Sequence, residues 1–184
     1  MPVMTRVTPE ETLSRAQSAL GDDADVALNF GQLDIVCEPS ALVETMTKLR
    51  DDDRLQCRFF TFLSAVDRSE YGPEDKPEKR GGLEVLIHVY SPDSAIHANV
   101  HVPVDANDAH CPTLTGVYMG ASWHERETWE MFGIHFDGHP RLVNLYLPED
   151  FDGNPGLRSF KLPSRLIKDW PGAKDPEEAA AGGR

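Results

Sequence analysis

The stretch SWHERETWEMFGIHFDGHPRLVNLYLPEDFDGNPGLRSFKLP, from Ser122 to Pro163, restricts the fold more than any other part of the chain. Its first half reads as a short helix that stops at a glycine, and its second half has neither helical nor strand periodicity. Ser122 and Glu125 have the S-x-x-E spacing of a capping box, in which the hydroxyl accepts the Glu125 N–H and the carboxylate reaches back to the N–H of Ser122. The spacing predicts a helix over Trp123 to Phe132, closed by Gly133 in the left-handed conformation that glycine adopts without a Cβ penalty. On that helix Glu125, Trp129 and Phe132 share one face, and Arg126 stacks with Glu130 on another. Arg126 is then expected to be locked by Glu125 or Glu127 and by the backbone of the next segment, a pairing suited to a planar guanidinium. The plainer alternative is a surface helix with solvated charges.

Beyond the helix, Pro140, Pro148, Pro155, Pro163, Pro171 and Pro176 interrupt the chain, while Leu142, Leu145, Leu147, Phe151, Leu157, Phe160, Leu162, Ile167 and Trp170 lie between them. A disordered linker would be poor in such apolar residues. Ordering a segment without a ladder costs about 1 kcal/mol per residue, which must be met by apolar burial that it cannot find against itself. Part of that burial falls on its own domain, and the remainder implies an obligate interface. The alternative is a proline-rich loop folded wholly back on its own domain. The chain thus divides into a domain at residues 1–136, an extended partner-wrapping arm at 137–176 and a frayed tail at 177–184.

The domain reads as α+β, a small mixed or antiparallel sheet packed with helices. Thr8-Pro9-Glu10-Glu11 offers a second capping box, followed by Leu13, Ala16 and Leu20 at helical spacing and by Gly21 as a stop. Val26, Leu28 and Phe30 alternate, as do Leu33, Ile35 and Cys37, so a tight hairpin is expected around Gly31-Gln32. Leu42, Val43, Met46 and Leu49 form the apolar stripe of a helix reaching Arg50, with Asp51-Asp52-Asp53 as a solvated turn beyond it. Arg58 to Asp67 is apolar on both alternating faces, which predicts a strand covered on both sides. Arg68 to Gly82, rich in charge, Pro and Gly, reads as an exposed loop.

Leu83 to Tyr90 and Ala95 to Val102 form the clearest pair. With Ser91-Pro92-Asp93-Ser94 as the turn, Leu83, Val85, Ile87 and Val89 face Val102, Val100, Ala98 and Ile96. The opposite face then sets Glu84 against His101 and His88 against His97, with Leu86 and Asn99 between. Imidazole and carboxylate are ordinary zinc ligands, yet these are spread along two strands, so polar exposure or partner contact is expected instead of a metal site. His124-Glu125 has no second histidine four residues on and is not a zinc-protease motif. No phosphate-binding, dinucleotide-binding or serine-nucleophile motif occurs.

The formal net charge of -13 opposes nucleic acid and simple electrostatic docking on anionic lipid. Cys37, Cys57 and Cys111 are odd in number and form no C-x-x-C pair, so reduced thiols are expected. The first residues show no signal-peptide pattern, and Leu83 to Tyr90 is far short of the roughly 20 residues of a membrane helix. Membrane association is expected only through other proteins.

The run WHERETWEMFGIHFDGHPRL, followed by LYLPEDFDGNPGLR, resembles the signature of the NuoC family, the thirty-kilodalton subunit of respiratory complex I. The resemblance covers most of Phe59 to Pro163. It departs near the end, where the family's G-x-P-L-R-K-D becomes Gly153-Asn154-Pro155-Gly156-Leu157-Arg158-Ser159, with an inserted glycine and no Lys-Asp pair. The family implies a non-catalytic scaffold, peripheral on the cytoplasmic side of the cell membrane, whose arm lies along the large quinone-site subunit of the complex. FMN and iron–sulfur clusters then belong to the complex that passes electrons from NADH to quinone and pumps protons, and this chain binds none. Glu125, Arg126, Glu127, Gly133, His139, Pro140, Pro148 and Arg158 match the signature and are expected as structural or interface residues. The alternatives are the equivalent subunit of a membrane-bound hydrogenase-type complex and, more remotely, a stand-alone metal-dependent hydrolase.

Overall fold

In a computed structural model of the chain, residues 7–21, 24–71 and 81–162 are described. The middle of the expected exposed loop (72–80), the end of the arm (163–176) and the tail (177–184) lie outside them.

Helix α1, Pro9–Leu20, starts as its sequence requires. Thr8 Oγ1 accepts the N–H of Glu11 at 3.3 Å, Pro9 occupies the first turn, and Gly21 ends the helix at φ 64°. Only half of the capping box forms, because Glu11 turns outward to Arg15 at 2.6 Å. Strands β1 (Asp25–Asn29) and β2 (Gln32–Val36) then form an antiparallel hairpin. Its two-residue loop is Phe30-Gly31, one position earlier than expected. Both residues have positive φ, 50° and 78°, which is the type I′ geometry that matches strand twist.

Phe30 is therefore out of the strand alternation and fully exposed, in a backbone region that costs a bulky residue about 1–2 kcal/mol. Asparagine tolerates this conformation. Phe30→Asn is predicted to stabilise the chain by about 1 kcal/mol, raising the thermal midpoint by about 2–4 °C. A lowered midpoint in a thermal melt would mean that Phe30 makes a compensating contact.

A 3-10 turn, Pro39–Ala41, leads into helix α2, Leu42–Asp51, which buries Leu42, Thr45, Met46 and Leu49. Val43 is exposed and leaves the predicted stripe. Asp51 is the last helical residue and not part of a turn beyond the helix. Acid is tolerated at this C-terminus because Arg50 grips Asp51 at 2.7 Å and Arg54 holds Asp52 at 2.8 Å. The hydrogen bonds from these arginines hold both carboxyls below the usual carboxylate range.

Strands β3 (Phe59–Asp67), β4 (Leu83–Ser91) and β5 (Ile96–Val104) complete a five-stranded sheet in the order β1-β2-β5-β4-β3. The β2–β5 pair is parallel and the others antiparallel, so the sheet is mixed and the α+β class stands. One face buries Leu33, Ile35, Val85, Ile87, Ala98 and Val100 with Ala16, Leu20, Leu42, Met46 and Leu49 in a single core.

The sheet differs from expectation in two places. The β4–β5 loop is Pro92 to Ala95, and Ala95 takes φ 55°, so Ser91 still pairs with Ile96. Leu83, Val85, Ile87 and Val89 consequently face Val104, Val102, Val100 and Ala98, one full pleat from the predicted register. Because side chains alternate with a period of two, the apolar face is unchanged. In β3, a bulge between Phe60 and Phe62 alters which side chains share a face: Phe60 pairs with Val89 and Phe62 with His88. Leu63 is buried while Phe59 and Phe62 are exposed, so this strand is not covered on both sides.

The remaining elements are β6 (His110–Pro112), helix α3 (Ala121–Phe132) and β7 (His135–Asp137). β6 and β7 pair in parallel, and β7 runs across the expected 136/137 boundary between domain and arm. Burial pushes the thiol of Cys37 up to about 11 and those of Cys57 and Cys111 up to about 12, so all three stay protonated at neutral pH.

Candidate partner-docking face

Helix α3 lies along the open edge of the sheet. His124 Nδ1 sits 3.4 Å from the N and 3.1 Å from the O of Leu63, covering outward backbone groups of edge strand β3. Such groups would otherwise template further pairing. The start of α3 is not the predicted capping box. Its N-cap is Gly120, with no side-chain cap, and the Ser122 hydroxyl instead lies 3.3 Å from His139 Nε2. Glu125 turns inward and is fully buried, accepting from Thr113 Oγ1 at 2.5 Å and from the N–H of Leu114 at 2.6 Å. Burial raises its pKa, against the pull of these two donors. Gly133 does close the helix, at φ 76°, with its N–H on the carbonyl of Trp129 at 2.8 Å.

The arm after β7 contains no helix or strand among the described residues, yet its backbone is not left bare. Arg126 donates from Nε to the carbonyl of Val143 at 2.9 Å and from Nη2 to that of Asn144 at 2.6 Å. One turn on, the buried carboxylate of Glu130 accepts the next three N–H groups, Leu145 at 3.2 Å, Tyr146 at 3.0 Å and Leu147 at 2.6 Å. Arg126 is thus locked by the next segment's backbone, as predicted, but not by Glu125 or Glu127. Asn144 Nδ2 continues the path by donating to the carbonyl of Pro148 at 3.1 Å.

Farther along, the arm caps α3. Asn154 Nδ2 donates to the carbonyl of Glu130 at 3.0 Å, and the N–H of Gly156 to that of Met131 at 2.7 Å. These are carbonyls that a helix end leaves without internal partners. The inserted Gly156 has a steric reason: a Cβ there would sit 2.7 Å from the Met131 carbonyl oxygen and 2.9 Å from the Phe132 ring. Gly156→Ala is predicted to push the arm off the helix end at a cost of about 2 kcal/mol. Faster amide exchange at residues 154–157 checks this, and unchanged exchange would show that the loop absorbs the methyl group.

Arg158 fixes the arm to the end of β3, its N–H on Asp67 Oδ2 at 3.0 Å and its Nε on the Asp67 carbonyl at 3.1 Å. His139 bridges the start of the arm to α3. Its Nδ1 accepts the N–H of Arg141 at 3.0 Å, so the neutral ring carries its proton on Nε2, 3.1 Å from the Ser122 carbonyl. The structure therefore gathers Glu125, Arg126, Gly133, His139 and Arg158 around α3 and the segment it holds. Pro148 contributes its carbonyl, Pro140 sits exposed in the turn beside His139, and Glu127 is half-buried with no partner among the described residues.

Sequence reasoning placed Glu130 beside Arg126 without giving it a role, and it missed Asn144, Asn154 and Asp67. A signal existed for Glu130: a backbone without a ladder needs acceptors for its N–H groups, and a carboxylate four residues after Arg126 on the same face supplies them. On the outer sheet face, Glu84 Oε1 reaches His101 Nδ1 at 2.5 Å and His88 Nε2 lies 3.2 Å from His97 Nδ1, although the register shift makes these neighbours diagonal. No three His, Cys, Asp or Glu side chains among the described residues converge as a metal site.

Apolar side chains are left outside. Met119 is 89%, Trp123 63%, Tyr146 64% and Leu162 80% exposed, with Val143 and Phe151 also open. Trp123 carries the Arg126 guanidinium 5.4 Å over its ring. The helix and arm thus hold a fixed backbone inward and an apolar surface outward, an arrangement suited to contact with another protein.

A family model described as the respiratory-chain NADH dehydrogenase 30 Kd subunit matches residues 35–166. The C subunit of the NADH-quinone oxidoreductase of Mesorhizobium japonicum is 35% identical over 158 residues, covering 82% of this chain and 73% of its own. Its counterpart from Roseiflexus sp. is 36% identical over 151 residues, covering 82% of each. Among solved structures, a trypsin-resistant fragment (1-134) of Nqo5 has a TM-score of 0.59 at 24% identity, covering 71% of this chain and 99% of its own. A chain of the membrane-bound sulfane sulfur reductase, an archaeal respiratory membrane complex, reaches 0.67 at 18% identity, covering 87% and 95%. At these identities the two structures speak for the fold, while the family match and the curated relatives decide the lineage: the chain belongs to the family of the 30 kDa subunit of respiratory-chain NADH dehydrogenase.

Proposed function

We propose that this chain is a non-catalytic scaffold of the peripheral arm of a proton-pumping NADH:quinone oxidoreductase, held on the cytoplasmic side of the cell membrane by its partner subunits. Electron transfer from NADH through FMN and iron–sulfur centres to quinone is then the work of the assembly. Three buried thiols do not make up the four thiolates that an iron–sulfur cluster takes, which supports a mechanical role for this chain. No helix among the described residues is long and apolar enough to cross a membrane, in keeping with attachment through other subunits.

The observation that carries the reading is the arm. Its backbone polarity is met by Arg126, Glu130 and Asn144, while Val143, Tyr146, Phe151 and Leu162 stay exposed. A segment merely folded back on its own domain would turn those side chains inward. Their natural counterpart is the large quinone-site subunit, with Glu125, Arg126, Glu127, Gly133, His139, Pro140, Pro148 and Arg158 shaping the surface that meets it.

Arg126→Ala tests this reading in the intact complex. It is expected to lower the amount of assembled complex on native gels while the iron–sulfur signals per assembled complex stay unchanged. Full complex abundance with a missing electron-transfer centre would place this chain in the chemistry and overturn the scaffold role.

A further inference from the structure

A groove runs between α3 and the arm. The groove encloses about 640 Å³ and is walled by Trp129, Val143, Leu147 and Pro148, with Arg126 and Arg141 in its lining. Arg126 gives Nε and one N–H of Nη2 to two carbonyls and lies over the Trp123 ring, which leaves Nη1 and the second N–H of Nη2 without a partner among the described residues. None of these groups is a carboxylate, so its full positive charge remains. The Arg141 side chain has no partner among the described residues. Glu149 is the one carboxylate in the lining, and it pairs with neither arginine. On a chain with a formal charge of -13, the lining carries two arginines against the one carboxylate of Glu149, and the neighbouring Glu130 carboxylate is taken up by the amides of Leu145, Tyr146 and Leu147, so the groove offers cationic and apolar groups together.

We propose that the groove seats an acidic, apolar segment of a neighbouring subunit, with a carboxylate settling between Arg126 and Arg141 and an apolar side chain entering beside Trp129. The inference rests on the scaffold reading and gives it a partner chemistry. Guanidinium is the cation suited to such a contact: it offers a planar fork to a carboxylate and is more weakly hydrated than an ammonium, so it loses less water on docking. Arg126 is also held in place before the partner arrives, since two backbone carbonyls and an indole ring fix its plane. Less ordering entropy is then lost on binding. Arg141 is free to swing and completes the pair.

The test uses the assembled complex. Val143→p-benzoylphenylalanine places a photo-crosslinker in the groove wall while keeping the backbone carbonyl that Arg126 holds. Arg141→Glu and Arg141→Ala are compared alongside; Arg141 is exposed, so both variants fold, which far-UV circular dichroism verifies. The proposal expects a crosslinked peptide from another subunit bearing Asp, Glu or a terminal carboxylate. It expects Arg141→Glu to weaken retention of the chain in the complex by about tenfold, well beyond Arg141→Ala. Wild-type retention should also fall as ionic strength rises from about 0.01 to about 1 M, where the screening length shrinks from about 30 to about 3 Å. A crosslinked peptide without a carboxylate, or equal retention of the two Arg141 variants, overturns the groove assignment and leaves the scaffold role standing. A wild-type chain absent from the complex overturns both.

Discussion

Glu130→Ala is expected to release the arm while leaving the domain folded. The Glu130 carboxylate is the acceptor for three consecutive N–H groups, at 3.2, 3.0 and 2.6 Å, in a segment with no other ladder. Hydrogen bonds to a charged acceptor are worth about 1.5–3 kcal/mol each, and the freed N–H groups recover part of this by meeting water. A net local loss of about 3–4 kcal/mol follows, which speeds amide exchange at residues 145–147 on the order of a hundred- to a thousandfold. The sheet core has no bond to Glu130, so its exchange and the urea midpoint should move much less. Glu130→Gln retains one acceptor oxygen but turns an amide toward the other N–H groups, and it should fall between wild type and alanine. Unchanged protection at residues 145–147 in Glu130→Ala would show that packing of Leu145 and Leu147, and not the carboxylate, holds the arm.

The second large effect is at Glu125. Replacing it with alanine strands the buried N–H of Leu114 and opens a cavity beneath α3, which together cost about 3–5 kcal/mol. Glu125→Gln is the informative partner, because an amide oxygen still accepts from Leu114 and the amide nitrogen can donate to Thr113 Oγ1. Burial raises the pKa of Glu125 in the folded chain above its value in the unfolded one. The contribution of this group to stability is therefore fully present below the ordinary glutamate value of about 4.3 and is lost as pH rises through the folded value. Urea titrations across that window should show wild-type stability declining relative to Glu125→Gln, which cannot ionise. Parallel curves for the two proteins would show that the donors from Thr113 and Leu114 cancel the effect of burial.

Both glutamates lie on a helix whose boundaries are only half legible in the sequence. Gly133 marks the end of α3 because a left-handed residue is a local requirement that the sequence states directly. The start is misleading because S-x-x-E is also local, whereas the Glu125 carboxylate has a stronger claim elsewhere: a buried N–H and a threonine hydroxyl from the preceding connector. The β4–β5 faces are legible from alternation and their register is not, since alternation is blind to a slip of one full pleat. The bulge in β3 is a single extra residue, Thr61, and a β-branched threonine is as much at home in a regular strand as in a bulge, so the run Phe59-Phe60-Thr61-Phe62-Leu63 does not announce it. In the arm, the prolines make the lack of a ladder visible. The reason for Gly156 is hidden, because it depends on where the Met131 carbonyl lies in space.

One consequence follows from the order in which α3 takes hold of the arm. Arg126 can grasp only oxygens and Glu130 only hydrogens, and along the chain they meet two carbonyls and then three amides. Sliding the segment by a single position without changing its conformation, or running it backwards, would bring like poles together. The pair therefore indexes the segment to one alignment and one direction, much as a keyed connector accepts its plug in one orientation. An insertion or deletion between Arg141 and Leu147 would keep nearly the same composition yet turn Tyr146 to the wrong side. Evolution of this surface is thus freer to exchange side chains than to change the spacing between them.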